Sequence, residues 1–286
     1  MTSIAGTQKE EEEEETTRPH PGDGTRSSWP SVAETPALGA VHAACWFNAR
    51  AHVRPNAMPS LSIIMPVYNE RSTVEAAIED ALGADLPVES RELIVVDDGS
   101  TDSTRELLRN GAWPDAVRIV RHDRNRGKGA AVRTGLQHAT GELSAILDAD
   151  LEYAAADLGP VLEPLLAGRA TVVFGTRAWT SQSSFSFWYV IGNKAVTFAT
   201  NLLYNCWISD VMTCHKAMRT DLFRSLELRE RGFAIEPEIA ARVLRSGARI
   251  YEVPVGYSAR GREEGKKLTA LDGLRVLRTL VRCRLT

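Results

Sequence analysis

Long apolar runs and paired cysteines are both missing from this sequence. No stretch reaches the ~18 uninterrupted apolar residues of a membrane-spanning helix. The first residues contain no apolar core segment, so no secretory signal is expected. The four cysteines, Cys45, Cys206, Cys214 and Cys283, form no C-x-x-C pair. That spacing fits neither a disulfide framework nor a thiolate zinc site, and it predicts a reducing, cytoplasmic compartment. Two phosphate-binding fingerprints are missing as well. No glycine lies five residues before Gly127, so the Gly127-Lys128 pair is not a P-loop, and no G-x-G-x-x-G follows the first apolar run. The net charge of −3 selects no class of partner by itself, and no nucleic-acid partner is expected. There is no internal repeat.

What the sequence does contain is unevenly distributed. Residues 1–57 include six consecutive glutamates (10–15) and then Pro, Gly and Ser. Such a composition cannot bury enough apolar surface to offset its ordering entropy, which predicts a disordered tail, with Trp46 and Phe47 as possible anchors. Residues 58–286 read as a single catalytic domain. Its last stretch, 239–286, carries four acids against eleven bases. A basic surface of that kind suits phosphate, an anionic membrane or plain solvation.

From Ser60 onward, short apolar runs alternate with helical patterns. "LSIIMP" (61–66), "LIVVD" (93–97), "VRIVR" (117–121), "SAILD" (144–148) and "TVVFG" (171–175) read as strands. Ser72 and Glu75 are spaced as a capping box for the first intervening helix. Asp102 or Ser103 can cap a second helix, running through Leu108, and residues 128–139 read as a third. This alternation predicts a mostly parallel α/β sheet with helices on both faces. Ligands of such sheets sit beyond the carboxyl ends of the strands. After about residue 180 the alternation lapses. An aromatic-rich helical stretch follows, then a helix over 236–247 with Pro237 in its first turn and Gly247 as its stop. A strand over 249–255 comes next, and a basic amphipathic helix closes the chain with Leu271, Leu274, Leu277 and Val281 on one face.

Acids collect where the strands end. "DADLE" (148–152) leaves an apolar run with two aspartates two residues apart. Such a pair can share Mg²⁺ or Mn²⁺ with a substrate diphosphate, because both ions prefer hard oxygen ligands. Alone the motif is weak, since loops also use Asp for turns. Its company is "MPVYNE" (65–70), "VVDDGSTDST" (95–104) and "NRGKGAAVRTG" (125–135). Together, in this order and spacing, these motifs resemble the family 2 glycosyltransferases of GT-A fold, and within them the polyprenyl- or dolichyl-phosphate sugar synthases. The likeness runs from about Leu61 to about Leu268 and includes "VVFGTR", "GNK", "SDVMTCHKAMR", "GFAIEPEI" and "YSARGREEGKK". Members of that group often carry extra transmembrane helices, and this sequence has none.

The resemblance implies roles. Pro66, Tyr68 and Glu70 contact the nucleotide, Asp97 or Asp98 reads the base, and Lys128 lies near the nucleotide. Asp148 and Asp150 hold Mg²⁺ or Mn²⁺ on the diphosphate, with Glu152 as a third ligand. Arg177, Lys194, Arg260 and Lys266 hold an acceptor phosphate, Arg177 and Arg260 taking part in catalysis. A polyprenyl phosphate acceptor is already an anion at neutral pH and needs cations rather than a base. A hydroxyl acceptor would need a carboxylate to take its proton, and Glu236 or Glu238 is then the candidate. Both glutamates also suit the helix N-terminus by charge alone. Asp210 fits either scheme or a helix cap. The expected function is inverting transfer of a hexosyl group from a nucleotide sugar, of the GDP-mannose or UDP-glucose type, to polyprenyl phosphate. Transfer to a saccharide or small-molecule hydroxyl and a non-catalytic nucleotide-sugar-binding domain are the alternatives. A sugar nucleotidyltransferase is disfavoured, because its Gly-rich, Arg-containing loop does not follow the first strand. The closing helix either packs on the domain or lies in a membrane interface as a peripheral contact. Phe185, Phe187, Trp188 and Tyr189 serve that contact or the core.

Overall fold

The computed structural model describes residues 58–177, 187–259 and 270–286. The expected tail (1–57), Phe185, Arg260 and Lys266 lie outside the described residues, as do the side chains of Trp188, Tyr189 and Leu271. The described strands are β1 (Ser60–Val67), β2 (Ser90–Asp97), β3 (Val117–Arg121), β4 (Leu143–Ile146), β5 (Val172–Thr176), β6 (Lys216–Arg219) and β7 (Ile250–Pro254). The helices are α1 (Val74–Gly83), α2 (Thr104–Asn110), α3 (Lys128–His138), α4 (Leu158–Leu166), α5 (Phe187–Tyr204), α6 (Thr220–Ser225), α7 (Ile235–Arg245) and α8 (Ala270–Leu285).

The seven strands form one sheet in the order β3-β2-β1-β4-β6-β5-β7. All neighbours are parallel except β6, which runs antiparallel between β4 and β5. Side-chain alternation along β1 shows how the sheet is covered on both sides. Leu61, Ile63 and Met65 join one core with residues of α1 and α4. Ile64 points the other way and packs with Val132 of α3 and Ile235 and Ile239 of α7. A strand buried on both faces reads as a continuous apolar run, which is why β1, β2 and β4 were legible. The order of the strands reverses between β1 and β4. That crevice is where open α/β sheets accept ligands, and β4 leads directly into the acidic cluster.

Local detail departs from or adds to the expected elements in three places. The Ser72–Glu75 box does not cap α1. Thr73 occupies the N-cap with no side-chain cap bond, because the Glu70 carbonyl already accepts from the N–H groups of Thr73 and Val74 and closes the turn. The four-residue β6 has no counterpart among the expected strands, since a strand this short that begins with Lys216 carries no periodic signal. In α8 the expected stripe of Leu274, Leu277 and Val281 turns outward. Val276, Thr279, Leu280 and Cys283 are buried, whereas Leu274, Leu277 and Val281 are exposed. The buried residues pack on α5 and on Ala234 and Ala241 at α7, so a second apolar face turns outward.

Candidate active site

Loops at the ends of β1 and β2 are locked by side chains that bond backbone. Asn69, at φ 54°, accepts from the Thr101 N–H through Oδ1 (2.8 Å), and its own N–H donates to Ser100 Oγ (3.0 Å). Asp97 Oδ1 accepts from the Ser100 N–H at 2.8 Å. Its other oxygen is buried and faces Arg105 Nε at 3.7 Å. Asp98 accepts from the N–H groups of Arg126 (2.9 Å) and Gly127 (2.7 Å) and from His122 Nδ1 (2.6 Å). His122 Nε2 lies 2.9 Å from Thr134 Oγ1 of α3. Asp98 therefore fixes the turn that starts α3. Two glycines allow this closeness. A Cβ on Gly99 (φ +74°) would meet the Arg124 backbone at 2.3 Å, and one on Gly127 (φ +93°) would meet the Arg231 carbonyl at 2.4 Å. Neither site accepts any other residue without backbone movement.

Above these loops opens a cavity of about 410 Å³, lined by Tyr68, Gly99, Thr101, Arg105, Arg124 and Asn125 among others. Tyr68 is thus brought to the cavity. Glu70 turns to α1, where its carboxylate accepts from Thr73 Oγ1 at 3.1 Å. Pro66 stays within β1, in register with Val96 of β2.

The acidic cluster follows β4. Leu151, between Asp150 and Glu152, is a partly exposed leucine at φ 57°, a costly conformation for a bulky residue and one that persists mostly at functional sites. Lys128, the first residue of α3, sets its ammonium 2.7 Å from Asp148 Oδ2 and 2.9 Å from Glu236 Oε1 of α7. Burial alone would lower the Lys128 pKa. The charges of Asp148 and Glu236 more than reverse this and raise it well above 10.5, so the ammonium stays charged. Glu236 Oε2 in turn accepts from the fully buried Lys216 at 2.6 Å.

Asp148 and Asp150 supply hard oxygen donors at a strand end, as a site that shares Mg²⁺ or Mn²⁺ with a diphosphate requires. Glu152 does not complete a three-carboxylate set. Among the described residues no group of three or more His, Cys, Asp or Glu side chains converges. Glu152 Oε2 accepts instead from the Tyr257 hydroxyl at 2.7 Å. The donor set thus fits a cation held by two aspartates and completed by substrate oxygens.

Tyr257 connects this cluster to a second one. Its ring packs against Tyr153 with centroids 5.0 Å apart and lies 5.0 Å from the Arg177 guanidinium. Arg177 grips Asp210 with two bonds, Nε to Oδ2 (2.6 Å) and Nη2 to Oδ1 (2.9 Å). Burial would raise the Asp210 pKa, but Arg177 and the charge of Lys216 hold it below the usual carboxylate value. Lys194 of α5 donates to the Ser209 carbonyl at 3.3 Å. Glu252 of β7 pins the same turn by accepting from the N–H groups of Ser209 (2.9 Å) and Asp210 (3.2 Å). Arg177 and Lys194, distant in sequence, thus meet at Ser209–Asp210.

Glu238 is elsewhere. It is fully buried and accepts from the N–H groups of Arg229 (2.9 Å) and Glu230 (2.7 Å) and from Arg242 Nε (3.0 Å). It is held on the fold by these donors, joining the loop before α7 to the helix. Sequence reasoning missed Lys216, Tyr257, His122 and Glu252. Their signal is contact across the fold, which no local spacing carries.

The Glycosyl transferase family 2 model matches residues 62–227. The chain belongs to this family. Over 202 residues it is 29% identical to glycosyltransferase AglJ of Haloferax volcanii, covering 70% of this chain and 64% of the relative. Over 242 residues it is 30% identical to the undecaprenyl-phosphate 4-deoxy-4-formamido-L-arabinose transferase of Pseudomonas aeruginosa, covering 82% and 68%. The chain thus spans about two thirds of the length of these relatives. Among solved structures it resembles the glucosyl-3-phosphoglycerate synthase of Mycobacterium tuberculosis in complex with Mn²⁺, UDP and glucosyl-3-phosphoglycerate. That TM-score is 0.59 at 21% identity, covering 79% of this chain and 80% of the other. The likeness establishes the GT-A type of fold.

Proposed function

We propose that this family 2 transferase moves a hexosyl group from a nucleotide sugar to polyprenyl phosphate with inversion, by a single displacement at the anomeric carbon. The carrying observation is that Tyr257 joins the acidic strand end, through its bond to Glu152, to the Arg177–Lys194 cluster at Ser209–Asp210. The name of the Pseudomonas relative, an undecaprenyl-phosphate sugar transferase, supports the acceptor.

Asp148 and Asp150 would hold Mg²⁺ or Mn²⁺, which when bound takes up charge on the leaving diphosphate. Tyr68 and the Gly99–Thr101 turn form the wall for the nucleoside, and Lys128 faces the diphosphate. Arg177 and Lys194 hold and orient the acceptor phosphate, with Arg260 and Lys266 joining them. The phosphate oxygen is already anionic, so no side chain has to remove a proton. Burial and saturation of Glu238 favour this acceptor over a hydroxyl.

The site would work at the cytoplasmic face of a membrane, as a peripheral contact. No helix among the described residues is long and apolar enough to cross one. Support comes from α5, which turns Phe187, Ile191, Phe198 and Leu202 outward, followed by Trp207 at 89% exposed, and from the exposed Leu274, Leu277 and Val281 of α8. Arg275, Arg278 and Arg284 line the same outer helix, as an anionic lipid surface requires. The test is to incubate the purified protein with a panel of nucleotide sugars, with and without polyprenyl phosphate and divalent metal. The reading expects sugar transfer only when both metal and lipid phosphate are present. Transfer to a soluble saccharide without lipid would overturn the acceptor assignment.

A further inference from the structure

Four side chains alternate in charge from the acidic strand end into the core: Asp148, Lys128, Glu236 and Lys216. The inner end is immobile. Lys216 is fully buried, donates to Glu236 Oε2 at 2.6 Å, and also donates to the carbonyls of Thr213 and Val211. Its ammonium sits 4.7 Å from the centre of the Phe174 ring. Glu236 is consequently held through one oxygen. Its other oxygen, Oε1, is buried and accepts no aligned hydrogen bond. It meets Lys128 at 2.9 Å through charge alone. The Lys128 hydrogen bond goes to Asp148 Oδ2, at 2.7 Å. One ammonium is therefore shared, bonded to a carboxylate that a cation must claim and attracted by one that is anchored and has an oxygen to spare.

We propose that Glu236, anchored by Lys216, is a positioning residue that takes Lys128 over from Asp148 when a divalent cation binds, so that ammonium and cation stand in the site together. The inference rests on the metal-dependent reading above and adds to it what keeps the two cations from excluding each other. Without Glu236, Lys128 and the metal compete for Asp148. With it, Lys128, whose ammonium already lies 2.9 Å from Glu236 Oε1, keeps an anionic partner and can stay in the site. Lys216 matters because an unanchored Glu236 could swing to the metal itself.

Mn²⁺ binding to the full chain without nucleotide, followed by the electron paramagnetic resonance of free Mn²⁺, tests this apart from turnover. Glu236→Gln should weaken Mn²⁺ binding about tenfold, and Lys128→Met should tighten it about tenfold, modest effects for one unit charge a few ångströms away. The double variant should return to within about threefold of wild type, because removing the competitor cancels the loss of its holder. A merely structural Glu236 gives no such rescue, and a double variant as weak as Glu236→Gln would overturn the inference. Should Glu236→Gln fail to fold, Lys128→Met decides alone, unchanged affinity counting against the inference. Wild type that takes up no Mn²⁺ would overturn this inference and the metal-dependent reading together. Wild type that binds Mn²⁺ normally, with both single variants unchanged, would overturn this inference only.

Discussion

The two halves of the site hold their working groups by different means. On the β1–β2 side, Asn69, Asp97 and Asp98 spend their oxygens on backbone N–H groups and shape loops around an open cavity. On the β5–β7 side, Arg177 is bound by Asp210, and Glu252 holds the Ser209–Asp210 turn. The first half offers space enclosed by rigid loops. The second offers charge that is already paired, so on the proposed reading an acceptor phosphate would have to share Arg177 with Asp210. Such a pairing keeps a buried guanidinium satisfied before substrate arrives, and it makes acceptor binding an exchange of anions rather than a simple addition.

The sharpest way to break this contrast is to remove the acid that only the donor half needs. Asp150→Ala should reduce transfer about 10²–10³-fold, the scale of losing one preorganised charge-stabilising group. The Glu152 N–H donates to Asp150 Oδ1 at 3.2 Å, and a thermal melt of the same preparation separates loss of transfer from loss of fold. Chelator should mimic the variant in wild type, and added Mn²⁺ or Mg²⁺ should reverse the chelator effect. Full activity in chelator would rule the mechanism out.

The acceptor half should respond differently, in binding more than in turnover. If Arg177 holds the acceptor phosphate as proposed, Arg177→Ala would remove a charged hydrogen bond worth roughly 1.5–3 kcal/mol, so the acceptor KM should rise about ten- to a hundredfold while the donor KM stays. Arg177→Lys should recover only part of this, because a lysine cannot grip Asp210 with two bonds. A rise in donor KM instead would place Arg177 in the wrong half.

His215 is fully buried, with its ring tilted against Tyr153 and the ring centroids 4.8 Å apart. Burial is the main cause that lowers its pKa from 6.5 to about 4. An unfolded histidine binds a proton through that window and the folded one does not, so stability should rise with pH between about 4 and 6.5. The expected span is about 3 kcal/mol. His215→Gln should flatten that slope in denaturant titrations run at pH 4, 5.5 and 7. A slope unchanged by the substitution would mean that other groups carry it.

The contrast between the halves also explains what could be read in advance. Some backbone-directed contacts are local, although Asn69 and Asp98 reach 32 and 29 residues along the chain. Asp97 reaches Ser100, and Gly99 and Gly127 mark turns that only glycine allows, so "DDGS" and "NRGKG" announce themselves as motifs. Asp148 and Asp150 were legible for the same reason, at the end of an apolar run. Side-chain pairs join distant segments: Glu152 and Tyr257 are 105 residues apart, and Lys216 and Glu236 belong to different elements. Nothing local encodes them. Glu152 was accordingly assigned to the metal rather than to Tyr257. For α8, helical spacing shows a stripe but not its direction, so packing and outward exposure both stay open until the neighbours are known.

The smallest expected effect on turnover is at Glu238. A catalytic base there would make Glu238→Gln cost about 10²–10⁴-fold. The structure gives that carboxylate other work. It collects the N–H groups of Arg229 and Glu230, joining the loop before α7 to the helix, and takes Arg242 Nε one turn along. Arg282 of α8 stands 3.6 Å from the same oxygen, so the charge also helps seat the last helix. A glutamine keeps one acceptor oxygen but loses the charge, and its amide brings N–H groups where donors already point inward. The variant should therefore lose stability by about 1–3 kcal/mol, as expected for a buried charged group whose donors are left short. Turnover of the folded fraction should stay within about threefold of wild type. Denaturant midpoints and kcat measured on the same preparation separate the two outcomes. A stable but inactive Glu238→Gln would return the base to α7 and the acceptor to a hydroxyl.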